Sequence, residues 1–226
     1  MEHMEWEGIF DNQRDKPPVV RAPSIPLEAV HPFMGEREAI LAGIGPGLDD
    51  FMESGWRIGL DRLPVLAINE AVCIVPACRA GIVFDPAPLF NISRWTEFHA
   101  DDAPRMILES TLLTSERSWV HPCLLHDALT YKRKDCVSAL ARPGTGTIAL
   151  HILADAGVTD ITLVGMDSYW EPESDGPPSE HVRDLWRELR YAPKYGPAPK
   201  RYAAISAQMK VAVAARGVNV KKWGAK

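Results

Sequence analysis

Apolar residues along this chain fall into short continuous runs that alternate with segments of helical spacing. "AILAGIG" (Ala39–Gly45) is the first run and ends in glycine. Behind it Leu48, Phe51, Met52, Trp56 and Leu60 recur at helical intervals. "VLAIN" (Val65–Asn69) reads as a second strand, followed by "EAVCIVPAC" as a short helix. "AGIVFD" (Ala80–Asp85) is a third strand, stopped sharply by "PAP". The middle is less regular, with a helix predicted near Trp95–Ala100 and strands near Arg105–Leu108 and Ser118–His121. A helix over 146–156 and a β-branched strand, Ile161–Val164, come next. Residues 168–200, rich in Pro, Glu and Tyr, read as one long loop. "RYAAISAQMKVAVAARG" is a helix with Gly217 as its terminator, and "VNVKKW" is a last strand.

The strands are continuous apolar runs, not alternating ones, so both of their faces must be covered. That predicts an α/β fold, a three-layer Rossmann-like sandwich around a mostly parallel sheet. Residues 1–38 form a Pro-rich arm: Pro17, Pro18, Pro23, Pro26 and Pro32 remove backbone donors through most of it. Such an arm can wrap the domain or a partner subunit, which is a route to a homo-oligomer. Residues 39–226 are then a single nucleotide-binding domain, with 168–200 as a lid. The 226 residues suit one domain with a sizeable core.

A net charge of −5 argues against broad binding to nucleic acid or anionic membrane. Cys73, Cys78, Cys123 and Cys136 contain no C-x-x-C pair and none stands beside a His at zinc-finger spacing, so free thiols in a reducing compartment are expected. "MEHMEWEGIF" lacks a signal-peptide pattern, and no apolar run reaches the roughly 20 residues of a membrane span. A cytoplasmic location is the expectation.

In parallel sheets, ligands sit beyond the carboxyl ends of the strands, so those ends carry the candidate chemistry. "GIGPGL" supplies Gly43, Gly45, Pro46 and Gly47 between a strand and a helix, where backbone can approach a phosphate. A dinucleotide fingerprint would need glycine where Leu48 stands and an acid where Asn69 ends strand two. Asn69 can read a ribose or base edge, or cap the helix that begins at Glu70. Asp85, held extended by Pro86, could meet a sugar hydroxyl or a metal, but no D-x-D follows it and a required metal is not expected. "GTGT" (Gly144, Thr145, Gly146, Thr147) opens a helix and suits a phosphate, a carboxylate or simple N-capping by a threonine. His151, among apolar residues of that helix, reads as a core or supporting histidine. "GMDSYW" presents Gly165, Asp167 and Tyr169 at another strand end. The lid carries His181, Tyr191, Lys194 and Tyr195, and a histidine over a nucleotide site is a candidate general base.

The succession "AGIGPGL", "AIN", "FDP" and "GTGTIALHILADAGVTDITLVGMDSYW" resembles bacterial sialyltransferases with a modified Rossmann-type fold. It is similar also to flagellin-accessory and pterin-pyrophosphokinase-like proteins. Their pattern is A-G-N-G-P-S-L, an Asn ending strand two, F-x-N-P, a T-G-opened helix and a strand ending G-[IV]-D-x-Y. The likeness covers roughly residues 39–90 and 142–170, and it departs at Ile44 and Asp85, where the family has Asn. It implies a nucleotide sugar held on the rim by Gly43, Gly45, Pro46, Asn69, Thr145, Gly146, Asp167 and Tyr169. Lid tyrosines would hold the phosphate, and His181, matched by chain position only, would deprotonate an acceptor hydroxyl.

The function expected is a metal-independent glycosyltransferase-like enzyme that needs no cofactor beyond its nucleotide-sugar donor. Its acceptor would be a glycan or another hydroxyl-bearing molecule. His181 and Asp167 are the catalytic candidates. A pyrophosphokinase, a methyltransferase or a non-catalytic nucleotide-binding protein of the same fold are the alternatives.

Overall fold

Strands that are apolar on both sides belong inside a sheet covered twice, and a computed structural model of the chain has that arrangement. It describes residues 31–55, 62–109, 120–125, 128–131, 144–171, 176–190 and 199–223. In chain order the strands are β1 (Glu38–Ala42), β2 (Val65–Ile68), β3 (Ala80–Val83), β4 (Arg105–Glu109), β5 (Leu129–Tyr131), β6 (Asp160–Val164) and β7 (Asn219–Lys222). The helices are α1 (Gly47–Asp50, running into a π-helical turn at Phe51–Gly55), α2 (Ala71–Ile74), α3 (Pro86–Thr96) and α4 (Pro122–Leu125). After them come α5 (Thr145–Asp155), α6 (Asp167–Trp170), α7 (Glu180–Glu188) and α8 (Pro199–Arg216).

The seven strands form one sheet in the order β5-β4-β3-β2-β1-β6-β7, and every neighbouring pair is parallel. Successive residues of β1 point to opposite faces. Ala39 and Leu41 join the core under α5 and α8, whereas Ile40 and Ala42 join the core under α1, α2, α3 and α7. The chain winds outward from β1 to β5, then crosses back to lay β6 on the other side of β1. The winding thus reverses between β1 and β6, and open parallel sheets bind ligands beyond the strand carboxyl ends at such a reversal.

Several local expectations change. The helix predicted near Trp95–Ala100 is instead α3, which starts at Pro86 and ends at Thr96. Proline that stops a strand is equally suited to a helix's first turn, where its missing N–H is not needed. Val120 and His121 are not in a strand, and residues 118–119 lie outside the described residues. The outer strand is β5. The 168–200 segment is not one long loop, because it contains α6 and α7. Its Val182, Leu185 and Trp186 are buried at helical spacing. Near the N-terminal arm, most of which lies outside the described residues, Phe33 is already core and the first strand starts at Glu38. The Arg79 guanidinium ties that segment down through the Pro32 carbonyl at 3.1 Å and Glu36 at 2.5 Å.

Candidate functional site at the strand carboxyl ends

The ends of β1 and β6 are packed directly on each other. Gly43 N–H donates to the Val164 carbonyl at 2.8 Å, and Gly45 N–H to the Gly165 carbonyl at 2.7 Å. A Cβ on Gly43 would lie 2.6 Å from the Met166 sulfur, and one on Gly45 2.7 Å from the Asp167 carboxylate. Gly165 itself has φ +58° and would drive a Cβ to 2.5 Å from the Gly43 carbonyl oxygen. The glycines of the first loop therefore serve a close approach of two loops.

Asp167 completes this junction. Its Oδ2 accepts the Gly47 N–H at 2.9 Å, at the start of α1, and its Oδ1 lies 3.1 Å from Lys222 Nζ on β7. Lys222 also reaches Glu171 at 3.0 Å. Partial burial disfavours the Lys222 ammonium, but the two carboxylates outweigh that and raise its pKa.

Asp49, in α1, holds the beginning of α7. Its carboxylate accepts the Ser179 hydroxyl at 2.5 Å, the Glu180 N–H at 2.8 Å and the His181 N–H at 3.4 Å. Partial burial opposes its ionisation, yet these bonds and the nearby His181 charge leave its pKa lowered. Ser179 N–H in turn donates to the Ile44 carbonyl at 2.8 Å. His181 is thus placed beside the first loop, with an exposed side chain.

At the end of β2, Asn69 has φ 55°, a left-handed conformation that asparagine tolerates better than most residues. Its Oδ1 is buried without a hydrogen-bond partner, so that oxygen caps nothing. Glu70, next to it, is fully buried. Its Oε1 accepts Asn91 Nδ2 at 2.9 Å and Trp186 Nε1 at 3.2 Å. Burial raises the Glu70 pKa against the pull of those bonds, and the Asp85 charge adds to the rise. Asp85 itself is extended, with φ −121° and ψ 143°, and precedes α3 as expected.

The "GTGT" helix start reaches the same rim. A Cβ on Gly146 would lie 2.7 Å from Met166 Cε and 3.7 Å from Ile68 Cδ1, so α5 begins against the ends of β6 and β2. Gly144 is the N-cap and makes no side-chain bond, which corrects the threonine-capping alternative. Thr147 Oγ1 is buried and without a partner. His151, on the same helix, belongs to the core, and burial lowers its pKa to about 4 with help from the Arg216 charge.

The structure therefore gathers Gly43, Gly45, Pro46, Gly47, Asn69, Gly144, Thr145, Gly146, Thr147, Gly165 and Asp167 around the carboxyl ends of β1 and β6 and the adjoining end of β2. Asp85 ends the next strand along. Tyr169 is in α6, whereas Tyr191, Lys194 and Tyr195 lie outside the described residues. Asp49, Glu70, Asn91, Trp186 and Lys222 were not anticipated. Glu70 had a visible signal, since it is the one charged residue between Val65 and Cys78.

No protein-family profile matches the sequence, and no curated protein matches it. Solved structures do. The monofunctional alpha-2,3-sialyltransferase Cst-I from Campylobacter jejuni superposes with a TM-score of 0.50 at 13% identity, covering 82% of this chain and 75% of that one. The fold is similar to that of a bacterial sialyltransferase. An alpha-2,3-sialyltransferase from Campylobacter jejuni in apo form gives a TM-score of 0.47 at 13% identity, over 82% of this chain and 74% of that one. Among the described residues, no helix is long and apolar enough to cross a membrane.

Proposed function

We propose that the chain is a glycosyltransferase-like enzyme that binds a nucleotide-sugar donor across the carboxyl ends of β1, β2 and β6. The observation that carries this reading is a pair of buried, unpartnered side-chain oxygens on the rim, Asn69 Oδ1 and Thr147 Oγ1. A buried acceptor without a partner costs about 1–3 kcal/mol, so a ligand offering a hydroxyl or amino donor there would recover it. Thr147 N–H and Ile148 N–H bond the Gly144 carbonyl, so the N–H groups of Thr145 and Gly146, ahead of them in the first turn of α5, are the ones that would face the donor phosphate.

In the proposed reaction the acceptor hydroxyl oxygen bonds to the anomeric carbon. The nucleotide phosphate oxygen departs with the bonding pair, and the acceptor proton passes to His181. No metal is invoked: Tyr191, Lys194 and Tyr195 from the lid, with Gly144–Thr147, would meet the charge of the leaving phosphate. Asp167 would contribute as a positioning residue through Gly47 and Lys222, and Asp85 would meet a sugar hydroxyl. The acceptor would be a glycan or another hydroxyl-bearing molecule.

Thermal unfolding against CMP, UMP, GDP, ADP, their sugar conjugates, S-adenosylmethionine and NAD tests the proposal. A ligand at 100 times its Kd stabilises by about 2.7 kcal/mol, and one nucleotide with its sugar conjugate is expected to do so. Asn69→Ala should then weaken that ligand by about tenfold, the size of one lost hydrogen bond. His181→Ala should abolish turnover and keep affinity. A response to S-adenosylmethionine alone would replace this reading with a methyltransferase, and binding without turnover of any donor would leave a binding protein.

A further inference from the structure

Glu70 and Asn91 face each other with a mismatch that one proton resolves. The single bond between them runs from Asn91 Nδ2 to Glu70 Oε1 at 2.9 Å. The two remaining oxygens, Glu70 Oε2 and Asn91 Oδ1, are both buried and both lack a donor. Neither side chain is exposed at all. A carboxylate has no hydrogen to offer Asn91 Oδ1, and a carboxamide oxygen has none to offer Glu70 Oε2.

We propose that Glu70 is held as a carboxylic acid whose Oε2–H donates to Asn91 Oδ1, closing a two-bond ring that fastens α3 to the end of β2 under α7. The link to α7 is Trp186, whose Nε1–H donates to Oε1 of the same carboxyl at 3.2 Å. That bond is one of several ties on this helix. Asp49 holds its first turn, and Arg94 Nη1 reaches the Leu189 carbonyl at its far end at 2.9 Å. The Trp186 bond needs no proton; what docked α7 imposes is the burial that keeps the Glu70 carboxyl neutral.

The groups around Glu70 favour its neutral form. Burial takes the carboxyl out of water, and Asp85, at the start of α3, adds a negative charge, while the Cys73 thiol of α2 is kept neutral by its own burial. From α7 the facing group is the Trp186 indole, with Arg183 one turn earlier lying 3.8 Å from Glu180. As pH rises from the ordinary glutamate range, the proton is lost to solvent more readily when α7 is undocked. Docking is strongest in acid and weakens until the buried carboxyl itself ionises.

The test compares the wild type with Glu70→Gln, whose Nε2–H replaces the acid hydrogen at every pH. Amide hydrogen exchange of 182–190, corrected for intrinsic rates, is expected to lose up to about tenfold protection per pH unit in the wild type and to stay level in the variant. In the wild type alone, 13C NMR of the side-chain carboxyls, assigned by difference with Glu70→Gln, should show one glutamate titrating above all others. Should Glu70→Gln fail to fold, Glu70→Asp supplies the assignment. A Glu70 carboxyl that titrates with the surface glutamates overturns the proposal. Equal pH dependence of α7 protection in both proteins does so too. Neither outcome bears on nucleotide binding, which is read separately.

Discussion

Single residues at the β1–β6 junction and in the helices around it carry strict steric and protonic demands. Gly165 combines a left-handed backbone with a Cβ direction that ends on the Gly43 carbonyl oxygen. Gly165→Ala should therefore cost at least about 2 kcal/mol in denaturant unfolding, since backbone on both sides must move. His151 makes a different prediction. Its pKa is depressed from 6.5 to about 4, so its contribution is complete above pH 6.5 and is lost as pH falls toward 4. The full loss amounts to about 3 kcal/mol. His151→Gln should flatten that part of the stability curve. Glu70, with its raised pKa, acts in the opposite sense above 4.5, so each slope must be read as a difference between wild type and variant.

Among the elements, α7 is the one that sets His181, the proposed base, beside the first loop. Asp49 caps it from α1, more than a hundred residues away in sequence. Asp49→Ala should remove about 1 kcal/mol and raise hydrogen exchange first at 180–183. The lowered pKa of Asp49 places its contribution above the ordinary aspartate value of 3.8, and it fades as pH falls through the lower native value. Acid should thus loosen the first turn of α7 while it strengthens the Glu70 tie. Local exchange measured residue by residue would separate the two ends. The helices covering the other face, α5 and α8, were plain in the sequence. α7 was hidden by the prolines and glutamates around it, although its buried Val182, Leu185 and Trp186 sit at helical spacing.

Across the whole molecule, the Asp167–Lys222 pair links the edge strand β7 to the junction of the β1 and β6 loops. Asp167 is 6% exposed, so Lys222→Met would strand a nearly buried carboxylate and should cost about 1–3 kcal/mol. A double-mutant cycle with Asp167→Asn should return a coupling near 1 kcal/mol or above, and no coupling would show that β7 is held by its backbone bonds alone. The edge of the sheet thereby contributes to the order of that junction.

The sequence by itself determined the sheet and the rim. Continuous apolar runs such as "AILA" and "VLAI" can be buried only between two layers, and the glycines, Asn69 and Asp167 stand where such runs end. It did not determine what those residues do. The glycines read as room for a phosphate, and the tertiary structure uses them to let two loops touch. Asp167 read as a reacting group, and its carboxylate is engaged by Gly47 and Lys222. Glu70 was one charge in an apolar stretch until α3 and α7 brought Asn91 and Trp186 to it. Periodicity reports which side of an element is buried. The partner of a buried polar group is fixed only when distant segments meet, and for this chain that meeting decides the chemistry.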